Sequence, residues 1–204
     1  VIVVACNAAS AAALHSLRER FPNVPFIGME PAVKPAAEGT KSGRVGVLAT
    51  PATFQGELYA SVVERFANDV SIFQNTCPGL VAEIEAGRMD GRKARRILTD
   101  ALRPMLAEGI DTIVLGCTHY PFVIPLIEEI AGPQVRVIDP APAIARQLGR
   151  VLSNRGLLAE GPASPTRFIT SGDVAGMAYD IKLLLDNHSP VEKAHWDGCL
   201  LSLS

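Results

Sequence analysis

Short, continuous runs of β-branched residues alternate with longer amphipathic stretches along this 204-residue chain. That alternation is the pattern of βα units wound around a mostly parallel sheet. The clearest runs fall at 1–5, 45–49, 70–73, 112–115, 135–138 and 168–170. Their largely continuous apolar character suits strands covered on both faces. Helices are expected between them, at 11–21, 55–66, 78–86, 95–108, 121–130, 144–157 and 174–186. In the first of these, Leu14, Leu17 and Phe21 recur at helical spacing while Arg18, Glu19 and Arg20 point outward. The stretch 34–43 is polar and rich in small residues and reads as a crossing between domains. Residues 156–165 read as a long loop, and the tail from Asn187 as irregular, with Trp196 a candidate packing anchor.

Within that alternation one local plan occurs twice. IVVACNAAS at 2–10 and TIVLGCTHY at 112–120 each run from an apolar strand through a small residue to a cysteine, then into polar or small residues that open a helix. Two copies imply two similar lobes, each offering a thiol at the carboxyl end of a strand. In open α/β sheets that end is where ligands bind. A thiol there feels the positive end of the helix dipole, which favours the thiolate, the form that acts as base or nucleophile. Helix-start amides also hold carboxylates without Arg or Lys. Asn7, Ser10, Thr118 and His119 add hydrogen-bonding groups beside Cys6 and Cys117. Facing each other across a cleft, two such mouths would flank one small carboxylate ligand.

The bland alternatives are specific. Free cysteine often merely packs, and that reading fits Cys77, before Pro78, and Cys199 in the tail. His15 reads as a surface residue, Thr50 and Thr53 as helix-start caps, and Ser171-Gly172-Asp173 as a turn and cap. No C-x-x-C, G-x-G-x-x-G, Walker A, H-E-x-x-H or G-x-S-x-G motif occurs. Zinc, nucleotide and serine-hydrolase readings therefore lack support. The 19 Lys+Arg nearly balance the 21 Asp+Glu, which argues against nucleic acid as a partner. A content of 48% apolar and 20% charged residues rules out disordered and fibrous classes. No apolar run is long enough to span a membrane and no secretory signal opens the chain, so a cytoplasmic protein is expected.

ACNAAS, EPAVKPA, GVLAT with a following Thr, TCPGLV, LGCTHYPF, VIDPA and FITSGD, in that order over about 1–173, resemble the glutamate racemases of the aspartate/glutamate racemase family. LGCTHYP is the most specific of these, because aspartate racemases generally carry Glu at the place of His119. The resemblance implies an α/β fold of two similar flavodoxin-like lobes with mostly parallel sheets and a cleft between them. On this reading 1–43 is the remainder of the first lobe, 44–134 the second, 135–186 the return to the first and 187–204 a tail. It further implies an isomerase that needs no cofactor and no metal, interconverts L- and D-glutamate for peptidoglycan, and forms a homodimer.

The family's catalytic cysteines map onto Cys6 and Cys117, and its substrate-binding residues onto Asn7, Ala8, Thr118 and His119. Ala8 stands where the family usually has Thr, so one hydroxyl donor is absent at that position. The chain opens at Val1 inside an apolar run, which reads as a piece missing its N-terminal part; the family's Asp-Ser-Gly and Pro-Tyr-Gly segments would precede it. A chain starting there is expected to have weak or no activity and to fold poorly. Two rival readings remain. A racemase-like binding or regulatory protein without the chemistry is favoured by Ala8, and an aspartate or hydantoin racemase is disfavoured by His119.

Overall fold

The computed structural model describes residues 1–67 and 69–203. The chain divides into two compact units, one made of Val1–Ile84 with Arg88–Leu158, the other of Glu85–Gly87 with Ala159–Ser204.

The larger unit carries two parallel sheets. The smaller sheet pairs β1 (Ile2–Val4) with β2 (Phe26–Gly28), joined by helix α1 (Asn7–Arg20). The second has the order β4-β3-β5-β6, from β3 (Arg44–Ala49), β4 (Ser71–Asn75), β5 (Thr112–Gly116) and β6 (Arg136–Ile138), all parallel. Its helices are α2 (Val33–Gly39), α3 (Pro51–Phe54), α4 (Glu57–Phe66), α5 (Leu80–Glu85), α6 (Arg92–Ala107) and α7 (Ile124–Ala131). Helix α8 (Ala141–Asn154) follows β6.

The expected cover on both faces holds for β3 and β5 but not for β1 and β7, where Ile2 and Ile169 are exposed. Ile113, Val114 and Leu115 of β5 are wholly buried, as central strands sandwiched between helix layers must be. Val45, Val47 and Ala49 of β3 point to one face and pack with Val33 and Ala36 of α2 and Tyr59 and Val62 of α4. The opposite face at Gly46 lies against Met105 of α6. Each buried Leu or Ile here contributes about 1.5–3 kcal/mol of transfer free energy, so this sheet is the rigid scaffold of the unit.

Four expectations are corrected. The segment 34–43 is not merely a polar crossing: α2 begins at Val33, and Val33 and Ala36 are fully buried. Pro35 is tolerated because it stands in the first helical turn, where its missing N–H costs nothing. The expected boundary at 134/135 falls before β6, which pairs with β5 and so completes the larger sheet. The expected helix at 121–130 opens instead with a 3-10 turn over Tyr120–Val123 before α7, consistent with prolines at 121 and 125.

The tail is the fourth. In the smaller unit β7 (Phe168–Thr170) pairs in parallel with β8 (Val191–Asp197), and β8 forms an antiparallel hairpin with β9 (Leu200–Leu203). The hairpin turns on Gly198, at φ +58°, and Cys199; glycine at the first position of a two-residue loop is the requirement of a type II′ turn. Trp196 is 64% exposed and anchors no core. Helix α9 (Val174–Leu185) is capped by Asp173, whose carboxylate accepts from the N–H groups of Ala175 and Gly176, as the Ser-Gly-Asp turn implied.

Two carboxylates lock the scaffold. Asp111 accepts from Thr40 Oγ1 and the N–H groups of Lys41 and Ser42 at 2.6–2.7 Å, and from Thr112 Oγ1 at 3.0 Å. Burial pushes its carboxyl up, but these four donors outweigh burial and hold it well below the usual range. Glu83 of α5, 3% exposed, is gripped by Arg88 at 2.8 and 3.1 Å and by Lys93 at 3.0 Å. Hydrogen bonds from Arg88 first, then Lys93, lower it to about 2. A depressed carboxylate stabilises the fold above its unfolded value of 4.5 and loses that contribution as pH falls towards 2. Urea denaturation should therefore find Glu83→Gln less stable than the parent at pH 7, with the gap closing between pH 4.5 and 2. An equal gap at both ends would show that the charge is not the cause.

Candidate active site at the carboxyl ends of β1 and β5

Cys6 follows the end of β1 and is the N-cap residue of α1, half-buried, with extended backbone (φ −156°). Its carbonyl accepts the first helical bond, from Ser10 N–H at 2.9 Å. No side chain caps this helix and its first turn carries no acidic residue, so its leading amides are left to another acceptor. Asn7, the first helical residue, is 2% exposed, and both its Nδ2 and Oδ1 lack a hydrogen-bond partner. A buried unpaired amide costs about 1–3 kcal/mol and calls for an explanation. Ser10 does not share that freedom. Its hydroxyl donates to Val4 O at 3.1 Å and accepts from Met29 N–H at 2.9 Å, so it ties α1 to the end of β1 and serves the fold rather than a ligand. Ala8 is half-buried and brings no polar group.

Cys117 follows the end of β5 and is 8% exposed. Gly116 makes that position possible: a Cβ there would meet Ala49 Cβ at 2.7 Å and Leu48 O at 3.3 Å, so only glycine lets β5 run this close to β3. Cys117 is not the cap of an α-helix, as the repeat implied. Thr118 and His119 lead into the 3-10 turn, and Tyr120 N–H donates to Cys117 O at 3.1 Å. The Cys117 Sγ and His119 Nδ1 lie 3.9 Å apart.

Cys117 and Thr118 line a cavity of about 310 Å³. Its wall also includes Val3 and Ala5, the residues leading into Cys6, together with Met29, and Asp139 and Leu148 from the β6–α8 region. Cys6, Asn7, Ala8 and His119 do not themselves line it. This is the size of a small-molecule site. A larger groove of about 660 Å³ runs along β2, walled by Leu14, Phe26 and Val151, and contains none of the six predicted residues.

Thr50 and Thr53 depart from the capping expectation. Thr50 stands at the N-cap of α3, but its hydroxyl makes no capping bond and instead meets Thr53 Oγ1 at 3.1 Å. Thr53 Oγ1 donates to Gly116 O at 3.5 Å, one residue before Cys117. Register pairs Ala49 with Gly116, so Thr50 and Cys117 leave the sheet side by side. Sequence reading missed this pairing, as it missed Asp139, which accepts from Ala141 N–H at 2.8 Å beside the cavity. Cys77 is 2% exposed, in keeping with packing, and burial followed by the nearby Cys117 pushes its thiol up to about 12. His15 is a surface residue paired with Glu19 at 3.2 Å, as expected.

Two parallel sheets, each with a cysteine just past the carboxyl end of a strand, beside a cavity of small-molecule size define an α/β protein with a candidate small-molecule site. The family model for Asp/Glu/hydantoin racemases matches residues 1–148, and the chain belongs to that family. Among curated relatives, a glutamate racemase of Pseudomonas paraeruginosa is 50% identical over 192 residues, 94% of this chain and 72% of the relative. One from Pseudomonas aeruginosa is 55% identical over 170 residues, 83% of this chain and 64% of the relative. The chain thus spans roughly two thirds to three quarters of the length of the proteins it matches. Among solved structures, a glutamate racemase isoform of Bacillus anthracis superposes with a TM-score of 0.81 at 32% identity, covering 96% of this chain and 73% of that one. The Escherichia coli enzyme, solved with L-glutamate and the activator UDP-MurNAc-Ala, gives 0.80 at 32% identity, covering 97% and 75%. The fold class is therefore the two-lobed, mostly parallel α/β fold of the glutamate racemases.

Proposed function

We propose that this chain interconverts L- and D-glutamate by 1,1-proton transfer between two thiols, Cys6 and Cys117. One thiolate takes the α-proton and becomes a thiol. The other thiol gives its proton to the opposite face and becomes a thiolate. The carbon is inverted, and the two sulfurs exchange protonation states. Inversion requires an acid and a base on opposite sides of one carbon, which a duplicated strand-cysteine plan supplies. The observation that carries the reading is the 310 Å³ cavity, walled by Cys117 and Thr118 and by the strand end that leads into Cys6.

The α-proton of an amino acid is weakly acidic, so the developing carbanion needs positioned donors and exclusion of water. The uncapped amides of α1, His119 and the amide of Asn7, which has no partner, are assigned that role, with Thr118 and the Thr50–Thr53 hydroxyl pair as further ligand contacts. No cofactor enters this scheme. The same reading carries a cytoplasmic homodimer that supplies D-glutamate for peptidoglycan.

Titration calorimetry with each glutamate enantiomer, run beside polarimetry, tests the proposal. Binding and turnover of both enantiomers are expected. Binding without isomerisation would make the chain a racemase-like binder, and turnover of aspartate or a hydantoin in place of glutamate would shift the substrate.

A further inference from the structure

Tyr120 is 1% exposed and belongs to none of the predicted substrate contacts. Its N–H donates to Cys117 O and its hydroxyl donates to Thr76 O, each at 3.1 Å. Thr76 and Cys117 follow the carboxyl ends of β4 and β5, which flank β3 on opposite sides. A single side chain therefore bridges two loops that the sheet holds one strand apart. The loop it reaches is strained. Cys77 sits in the left-handed region at φ +44°, where its Cβ crowds the following carbonyl oxygen. Its N–H is held by Asn75 Oδ1 at 2.9 Å, and Gly79 follows at φ +84°. Strain of this kind persists only where the surroundings over-determine it.

We infer that Tyr120 is a positioning residue for Cys117, its hydroxyl fastening the 76–79 loop as a fixed wall behind the thiol. The inference deepens the two-thiol reading, on which the role of Cys117 rests. Burial, then the nearby sulfurs of Cys77 and Cys117, raises the Tyr120 hydroxyl well above its ordinary value, so it remains a protonated donor at working pH.

Two variants test this on the full chain. Tyr120→Phe keeps the ring and removes only the bond to Thr76, whereas Tyr120→Leu removes both. Site-resolved alkylation by iodoacetamide reads the loop without any need for turnover. In the parent, buried Cys77 should be nearly unreactive; in Tyr120→Phe its labelling should rise about fivefold, and further in Tyr120→Leu. In parallel, kcat for glutamate should fall about fivefold in the Phe variant with KM within about twofold, the Phe ring rescuing part of the loss seen with Leu. Labelling of Cys77 and Cys117 in Tyr120→Phe equal to the parent's overturns the inference, whether or not Tyr120→Leu folds. Should the labelling shift while the parent turns over no glutamate, the positioning role stands and the glutamate reading falls instead.

Discussion

Cys6→Ala and Cys117→Ala are each expected to lower racemisation of glutamate by about a hundred- to ten-thousandfold in both directions, since a positioned acid or base supplies about 10²–10⁴ in rate. The two variants should nevertheless differ in what they retain. A single remaining thiolate can still remove and return a proton on its own face of the α-carbon. In heavy water, Cys6→Ala should therefore exchange the α-hydrogen of one enantiomer only, and Cys117→Ala that of the other, with no inversion in either case. Mass spectrometry of recovered glutamate separates these outcomes from simple inactivation. Serine at either position should behave like alanine, because an alcohol of far higher pKa is a poor base under the same conditions. A fully active single variant, or exchange of the same enantiomer in both, would end the two-thiol mechanism.

The parts of the fold that the sequence discloses are those whose signal is local. β3 after Arg44 and β5 after Thr112 are apolar at every position because helices cover both faces, and a run such as IVLG carries that fact within itself. β2 is three residues between Pro25 and Met29, too short for any periodicity, and α2 is disguised by Pro35 and by small polar neighbours. The hairpin of β8 and β9 carried a usable mark in Asp197-Gly198, overlooked because the strands it joins expose most of their side chains.

The site divides in the same way. Cys6 and Cys117 stand out because a chemical plan is written twice, and the structure sets both after strand ends. What periodicity cannot show is where a hydroxyl is spent. Ser10, next to Cys6, is consumed by Val4 and Met29, whereas Asn7 beside it is left without a partner. Tyr120 finds its acceptor at Thr76, on a loop that only the sheet order brings near. Such assignments depend on tertiary neighbours, so residues of similar polarity in one motif divide between those tied into the scaffold and those left without a partner.

Asn7→Leu should separate these two roles by moving stability and binding in opposite directions. In the free protein the Asn7 amide is buried with neither Nδ2 nor Oδ1 paired, so the fold bears its desolvation without return. An apolar side chain of similar volume removes that cost, and the variant is expected to be more stable by about 1–3 kcal/mol, read as a higher urea midpoint with unchanged slope. In the complex the same amide would serve a charged substrate group, and a hydrogen bond of that kind is worth about 1.5–3 kcal/mol, or about ten- to a hundredfold in affinity. Calorimetry should therefore show glutamate binding weakened by that factor, and the ligand-induced rise in melting temperature should shrink with it. A residue kept only for packing would lose stability on the change and leave binding alone. If Asn7→Leu is less stable than the parent and binds glutamate equally well, the unpaired amide is part of the scaffold and the carboxyl end of β1 is not the ligand's seat.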